Sequence, residues 1–108
     1  MDFNVAGISF RKAAAKRACE SGDRTVRIVP EPGNPHDPNA LRVEIARQHV
    51  GYVPRNMTDR IGALLLRGAR PRVERAGPFH AGYFAVIRVD DKGPEGDEPN
   101  FYVPHPPK

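Results

Sequence analysis

The chain has 108 residues, of which 39% are hydrophobic and 28% are charged, and this suits one domain with a single modest core. Lysine and arginine number 17 against 13 aspartate and glutamate, so the formal net charge is +4 at pH 7. A basic domain of this size favours a polyanionic partner, although arginines that simply keep the surface soluble explain the charge equally well. The single cysteine, Cys19, excludes an intrachain disulfide and a cysteine-based zinc site.

The hydrophobic pattern predicts a mainly β chain with two helices, in the order β-α-β-β-β-α-β-β. Strands are expected at residues 3–8, 24–29, 41–45, 50–53, 70–76 and 83–89. Helices are expected at residues 10–20, which are rich in Ala, Lys and Arg, and from Asn56 or Thr58 to residue 67. Strands that follow one another directly can pair antiparallel. The sequence therefore predicts a small six-stranded barrel with two helices packed against it, not a parallel sheet.

From Asp91 onward the sequence is rich in glycine, proline and acidic residues. Residues 1–90 are expected to form the domain, and residues 91–108 a flexible, acidic and proline-rich tail. Residues 101–103 (FYV) are alternatively expected to dock on the domain or to add an edge strand. The first residues, MDFNVA, lack the features of a secretory signal, and no apolar run approaches the roughly 20 residues of a membrane helix. We expect a cytoplasmic protein without membrane contact.

The connection between the second and third predicted strands contains residues 34–40, NPHDPNA, and is too long and too polar for a simple hairpin turn. Prolines stiffen this loop, and rigid loops on a strand scaffold are where binding groups tend to lie. The alternative is a surface loop whose Asx side chains only cap its own turns. The loop taken alone favours this alternative.

Catalytic motifs are absent from the sequence. It contains no HExxH, CxxC, GxSxG or phosphate-loop pattern. The carboxylate pair Asp90-Asp91 is better interpreted as a solvated strand end. We therefore predict no catalytic residue, no metal site and no cofactor. Whether the chain is an enzyme is left open, with a metal-dependent nuclease or hydrolase that uses Asp37 as the alternative.

Binding of a nucleic acid has more support. Phe10, His36 and Tyr52 are planar side chains near loop or strand boundaries. Basic residues are close to them in sequence, namely Arg11, Lys12, Arg42 and Arg55. Aromatic faces combined with basic groups on a small barrel are typical of proteins that bind single-stranded nucleic acid. The alternative is that the aromatic rings pack inside the protein, Phe10 against the first helix and Tyr52 against a neighbouring strand.

Three segments of the sequence resemble the HIRAN domain family. They are residues 5–10 (VAGISF), 26–43 (VRIVPEPGNPHDPNALRV) and 50–55 (VGYVPR), followed by an Ile/Leu-rich helix. The resemblance extends over about residues 5–89. It implies an OB- or SH3-like barrel of the free-standing bacterial type. Some family members are fused to helicase-like ATPases that remodel replication forks. From these members, the resemblance implies that the domain captures the 3′ ends of single-stranded DNA in repair or replication. It also implies a helicase or nuclease as a possible protein partner.

The resemblance also implies a set of site residues. These are Ser9, Phe10, Asn34, His36, Asp37, Tyr52 and Arg55. In the implied roles, Asp37 accepts a hydrogen bond from the terminal 3′-hydroxyl, and Phe10 and His36 hold the terminal base. An ionised carboxylate accepts hydrogen bonds and cannot donate them, so it suits a hydroxyl and repels a terminal phosphate.

The remaining implied contacts include two departures from the family pattern. Asn34 lies beside the terminal nucleotide, and Tyr52 and Arg55 contact the base and phosphate further along. His36 stands where family members often have a tyrosine, and Ser9 stands where eukaryotic members can have a phosphate-binding arginine. Both departures would weaken or alter end binding. They motivate the alternative of a protein-interaction or tethering module without end recognition.

Overall fold

The computed structural model describes residues 1–90, so the predicted tail at residues 91–108 lies outside the described part of the chain. Its strands and α-helices are β1 (Asp2–Asn4), α1 (Lys12–Ser21), β2 (Val26–Pro30), β3 (Leu41–Ile45), β4 (Gln48–Tyr52), α2 (Thr58–Leu66), β5 (Pro71–Phe79) and β6 (Gly82–Val89). Two short 3-10 helices that the sequence did not predict, Ile8–Phe10 and Arg55–Met57, precede the two α-helices.

The six strands form two antiparallel sheets of three strands each. One has the order β1-β6-β5 and the other β2-β3-β4. The prediction of a mainly β fold with two helices is therefore confirmed. The predicted closed barrel is not found within residues 1–90. β1 is only three residues long, and no hydrogen-bonded ladder in this range joins β2 to β5.

The two sheets are joined where the chain leaves β1. Ala6 pairs with Tyr52 at the end of β4, and the two residues exchange backbone hydrogen bonds of 2.8 and 2.9 Å. The preceding residue in β4 must be glycine because the strands approach so closely. A Cβ on Gly51 would overlap the carbonyl oxygen of Ala6 and lie 2.6 Å from Cγ1 of Val5. This close approach fixes the position of Tyr52.

One hydrophobic core connects both sheets and both helices. Alternate residues of the strands point inward, as the sequence pattern predicts, and α1 and α2 each contribute one apolar face. The largest fully buried side chains are Ile28, Ile61, Leu65, Ile87, Val26, Val43, Val50 and Val89. Burial of each contributes about 1.5–3 kcal/mol, so the core holds the surface loops on a firm scaffold.

The start of α1 differs from the prediction. Gly7 has a left-handed backbone (φ 75°), and the next three residues form a 3-10 turn in which the Phe10 N–H donates to the Gly7 carbonyl at 3.0 Å. The α-helix consequently begins at Lys12, two residues later than expected. Its N-cap is Arg11, not Ser9.

Candidate nucleic-acid interface

The polar loop between β2 and β3 is held in shape by its own hydrogen bonds. Its ends meet where the Glu31 N–H donates to the Ala40 carbonyl at 2.9 Å. Inside the loop, Oδ1 of Asn34 accepts hydrogen bonds from the backbone N–H groups of His36 (2.8 Å) and Asp37 (3.1 Å). The loop thus does form the self-capping turns that its Asx residues indicate.

Asp37 is fixed in the same way. Its Oδ1 accepts a hydrogen bond from the backbone N–H of Asn39 at 2.9 Å, and its backbone carbonyl accepts one from Ala40 at 3.1 Å. Its Oδ2 lies 3.4 Å from Nε of Arg55. Only 18% of the Asp37 side chain is exposed, against 72% of the Arg55 side chain. The carboxylate is therefore positioned before any ligand arrives.

A concave pocket of about 260 Å³ lies between this loop and the end of β4. We call it the loop pocket, and its lining residues are Ala6, Asn34, His36, Asp37, Ala40, Tyr52, Val53 and Arg55. Five of the seven site residues implied by the family resemblance line it. Three small or aliphatic residues that sequence reasoning missed complete its wall. Ala6 follows β1, Ala40 ends the loop and Val53 follows β4, so only the folded chain brings them together.

Arg55 ties the loop to the 3-10 helix that follows β4. Besides approaching Asp37, its Nη2 donates a 2.9 Å hydrogen bond to the backbone carbonyl of His36. Pro54, with an extended backbone (ψ 138°), directs the chain so that Arg55 faces the loop. The guanidinium keeps most of its surface in solvent. It is available to a phosphate next to the pocket.

Glu31 is a functional candidate that sequence reasoning missed, although it lies in the quoted family motif. Its Oε1 accepts hydrogen bonds from the Tyr52 hydroxyl (2.7 Å) and from Nδ2 of Asn34 (2.9 Å). Its Oε2 lies 3.5 Å from Nη1 of Arg42. Burial favours a higher pKa for Glu31, but these hydrogen bonds and the positive charges of Arg42 and His49 hold its pKa below the usual value. Glu31 is therefore an ionised anchor for two pocket side chains.

Tyr52 and its neighbours form the aromatic end of the loop pocket. Burial, followed by the hydrogen bond to Glu31, raises the pKa of Tyr52, so its hydroxyl stays protonated at neutral pH. The His49 ring meets the Tyr52 ring edge-on at 5.0 Å, and the Arg11 guanidinium lies 6.0 Å from the Tyr52 ring centroid. Burial, and then the charges of Arg11 and Arg42, lower the pKa of His49. Neutral His49 donates from Nε2 to the Gly51 carbonyl at 3.1 Å.

The hydrogen bonds of the Asn34 side chain are all used within the protein. Its oxygen accepts two backbone N–H groups, and its amide nitrogen donates to Glu31 and, at 3.4 Å, to the Tyr52 hydroxyl. An amide group offers two acceptor lone pairs and two N–H donors. Asn34 therefore organises the loop pocket in this structure.

Ser9 and Phe10 do not line the loop pocket. Both are exposed in the 3-10 helix between Gly7 and Arg11, and 90% of Phe10 is accessible to solvent. The alternative that Phe10 packs in the core is therefore wrong. Because Ala6 lines the loop pocket and Arg11 contacts the Tyr52 ring, this helix lies next to the pocket rim.

Two structural features bear on other classes of site. Within residues 1–90, no three His, Cys, Asp or Glu side chains are grouped so that they could hold a metal ion. In the same residues no helix is both long and apolar enough to cross a membrane.

A small antiparallel β domain that combines an arginine and planar side chains in one surface pocket is typical of proteins that bind single-stranded nucleic acid. The comparison with protein families gives the particular family: the family model of the HIRAN domain matches residues 1–75. This match covers every residue of the loop pocket and most of the 108-residue chain. The chain therefore belongs to the HIRAN domain family, whose members are nucleic-acid-binding modules. It matches no curated protein and no solved structure.

Proposed function

We propose that this chain is a non-catalytic module that binds the 3′ ends of single-stranded DNA in the loop pocket, in the context of DNA repair or replication. The observation that carries the proposal is the placement of Asp37. A carboxylate that is mostly buried, and already fixed by Asn39, faces a pocket walled by Tyr52 and bordered by Arg55.

Recognition of the terminal hydroxyl rests on the chemistry of Asp37. Two carboxylate oxygens offer about four acceptor positions, and the Asn39 N–H occupies one of them. A 3′-hydroxyl can donate to a remaining position, whereas a 3′-phosphate would bring like charges together. Arg55 lies 3.4 Å from the other oxygen and offsets part of that repulsion. The discrimination between the two ends is consequently smaller than an isolated carboxylate would give.

The terminal base is held by the apolar and planar side of the loop pocket. Ala6, Ala40 and Val53 give it an apolar wall, and the His36 and Tyr52 rings offer faces for stacking. Stacking of a base on an aromatic side chain is worth about 1–3 kcal/mol. Because the pocket is formed before binding, little ordering of the protein is needed, and this favours affinity.

The test is a pair of fluorescence-anisotropy titrations with oligonucleotides that differ only in a 3′-hydroxyl or a 3′-phosphate. The wild type should bind the hydroxyl end more tightly, and its affinity should fall steeply as salt rises. Asp37→Asn keeps the shape and removes the charge, so it should abolish the preference. Asp59→Asn is a matched control, because Asp59 is exposed in the first turn of α2 and does not line the loop pocket.

Equal affinities of the wild type for the two ends would contradict end recognition. A wild-type protein that binds no oligonucleotide even at low salt would contradict the whole proposal and favour the tethering alternative. Product formation with added Mg²⁺ or Mn²⁺, lost in Asp37→Asn, would instead identify a nuclease.

A further inference from the structure

A second concave surface lies on the outer face of the hairpin formed by β5 and β6. Its volume is about 330 Å³; we call it the hairpin cleft, and its lining residues are Asn4, Arg75, Phe79 and Phe84. The Phe79 side chain is 59% exposed, and its ring lies 6.2 Å from the Phe84 ring in edge-to-face orientation. Gly77 pairs with Phe84 and has no side chain that could cover the ring. The hairpin therefore presents an aromatic surface to solvent.

The charge of the hairpin cleft comes from Arg75. This arginine is exposed and makes no ion pair with any residue of the range 1–90. The neighbouring arginines of the sheet differ, because Arg72 and Arg88 form ion pairs with Asp2, Glu74 and Asp90. An exposed arginine next to aromatic rings suits a peptide that combines a carboxylate with an aromatic side chain.

The part of the chain beyond Asp90 contains this combination. Residues 91–108 carry a net charge of −2, against +6 for residues 1–90. Asp97 and Phe101 are four positions apart in the sequence, and so are Arg75 and Phe79 in β5. Because alternate residues of a strand share a face, Arg75 and Phe79 lie on the same face, about 13 Å apart. An extended segment places Asp97 and Phe101 at the same spacing.

The point at which the chain leaves the described domain brings the two segments into the same order. The Asp90 carboxylate lies 3.2 Å from Nη1 of Arg72, near the start of β5. From there β5 runs to the hairpin tip and passes Arg75, about 10 Å from Arg72, before Phe79. The seven residues from Asp90 to Asp97 can span up to about 25 Å. The chain is therefore long enough to reach the cleft.

We propose that residues 97–101 (DEPNF) dock in the hairpin cleft of the same molecule, along β5 and in the same direction. Asp97 pairs with Arg75, and the Phe101 ring packs against Phe79. Pro99 favours an extended backbone at the residue before it, which the matched spacing requires. An exposed ion pair contributes little free energy, so the aromatic contact supplies most of the affinity and the ion pair sets the register. A short tether gives a millimolar effective concentration, so weak contacts suffice.

The test uses the full chain with Phe79→Trp, which introduces a single fluorophore because the sequence contains no tryptophan. In this background, Phe101→Ala should move the tryptophan emission to longer wavelength and increase its quenching by acrylamide, because docking no longer shields the ring. Tyr102→Ala is the matched control. In an extended segment its side chain points away from the surface that Phe101 contacts, so both readouts should stay unchanged.

Charge reversal tests the register of docking. In the same background, Arg75→Glu should shift the emission in the same direction as Phe101→Ala, because it places two carboxylates together. Addition of Asp97→Arg should reverse this shift. Glu95→Arg is the matched control, since it makes the same change of charge at a different distance from Phe101 and should not reverse the shift.

A second measurement retains Phe79. The NMR signal of the Gly77 amide, on the floor of the cleft, should move in Phe101→Ala and stay in place in Tyr102→Ala. Unchanged emission and an unchanged Gly77 signal in Phe101→Ala would overturn the docking of this segment and leave the cleft to a different partner. A Phe101→Ala effect that grows with protein concentration would overturn docking within one molecule and identify a second copy as the occupant. Equal reversal by Asp97→Arg and Glu95→Arg would overturn the register.

Discussion

Replacement of Glu31 by alanine tests what holds the loop pocket in shape. The substitution removes the acceptor of the Tyr52 hydroxyl and of Nδ2 of Asn34, at 2.7 and 2.9 Å. Both groups are partly buried, and each lost hydrogen bond costs about 1 kcal/mol. Arg42 keeps its 2.9 Å ion pair with Glu44, so the loss of its 3.5 Å contact to Glu31 adds little. We therefore expect the free energy of unfolding to fall by roughly 2 kcal/mol.

Two measurements check this expectation. In urea denaturation, Glu31→Ala should lower the transition midpoint with an unchanged slope, and Glu31→Gln, which keeps an acceptor oxygen, should lose less. In the anisotropy assay, Glu31→Ala should also bind the 3′-hydroxyl oligonucleotide more weakly, because Tyr52 and Asn34 lose their fixed positions. Glu31→Gln should restore most of that affinity. Wild-type stability together with wild-type affinity in Glu31→Ala would refute the anchoring role.

The pH dependence follows from the lowered pKa of Glu31. Its pKa in the folded protein lies below the usual value of 4.5, because its hydrogen bonds and the nearby cations outweigh burial. The unfolded chain thus takes up a proton at higher pH than the folded chain does. The stabilisation by Glu31 is complete above about pH 4.5 and is lost as pH falls through the folded pKa. The stability difference between wild type and Glu31→Gln should therefore be constant from pH 5 to 7 and shrink in acid.

Two further substitutions test the sheet junction and the arginine of the site. Gly51→Ala should lower the free energy of unfolding by roughly 2–5 kcal/mol, because its Cβ overlaps the Ala6 carbonyl and breaks the pairing there. Gly62→Ala, in open space on α2, should instead stabilise by about 0.5–1 kcal/mol, and urea melts distinguish the two. Arg55→Ala should weaken binding of both end types in anisotropy titrations but raise the ratio of 3′-hydroxyl to 3′-phosphate affinity. An unchanged ratio would show that Arg55 does not shield Asp37.

Much of the fold could be predicted from local pattern. Alternating apolar residues marked β2 and β3, and the predicted bounds of β3 are those of the structure. The pairing between sheets could not be predicted in the same way. The Ala6–Tyr52 contact joins residues far apart in sequence, and its reason, the missing side chain of Gly51, is visible only once the strands meet. Closure of a barrel depends on such non-local pairing. Local sequence pattern therefore could not show whether the six strands form a closed barrel or two sheets.

The residues that line the candidate pocket could be predicted within the loop and less so around it. The motif named Asn34, His36 and Asp37 because these residues are consecutive or nearly so. Glu31 was not recognised because one of its partners, Tyr52, is 21 positions away. Phe10 was weighed as a core residue because Ala14 and Ala18 continue its helical spacing, but the left-handed turn at Gly7 removes it from α1.

The two interpretations of the polar loop, a self-capped turn and a binding site, are compatible in the structure. Both acceptor positions of the Asn34 side-chain oxygen accept hydrogen bonds from the backbone N–H groups of His36 and Asp37. The Asp37 carboxylate accepts only one such bond, from the backbone N–H of Asn39. The capping bonds thus hold the carboxylate still while most of its acceptor capacity remains. A loop that had to order itself on binding would lose affinity to conformational entropy. The turn chemistry that argued against a site therefore supports the proposed role of Asp37 as the acceptor for a terminal hydroxyl.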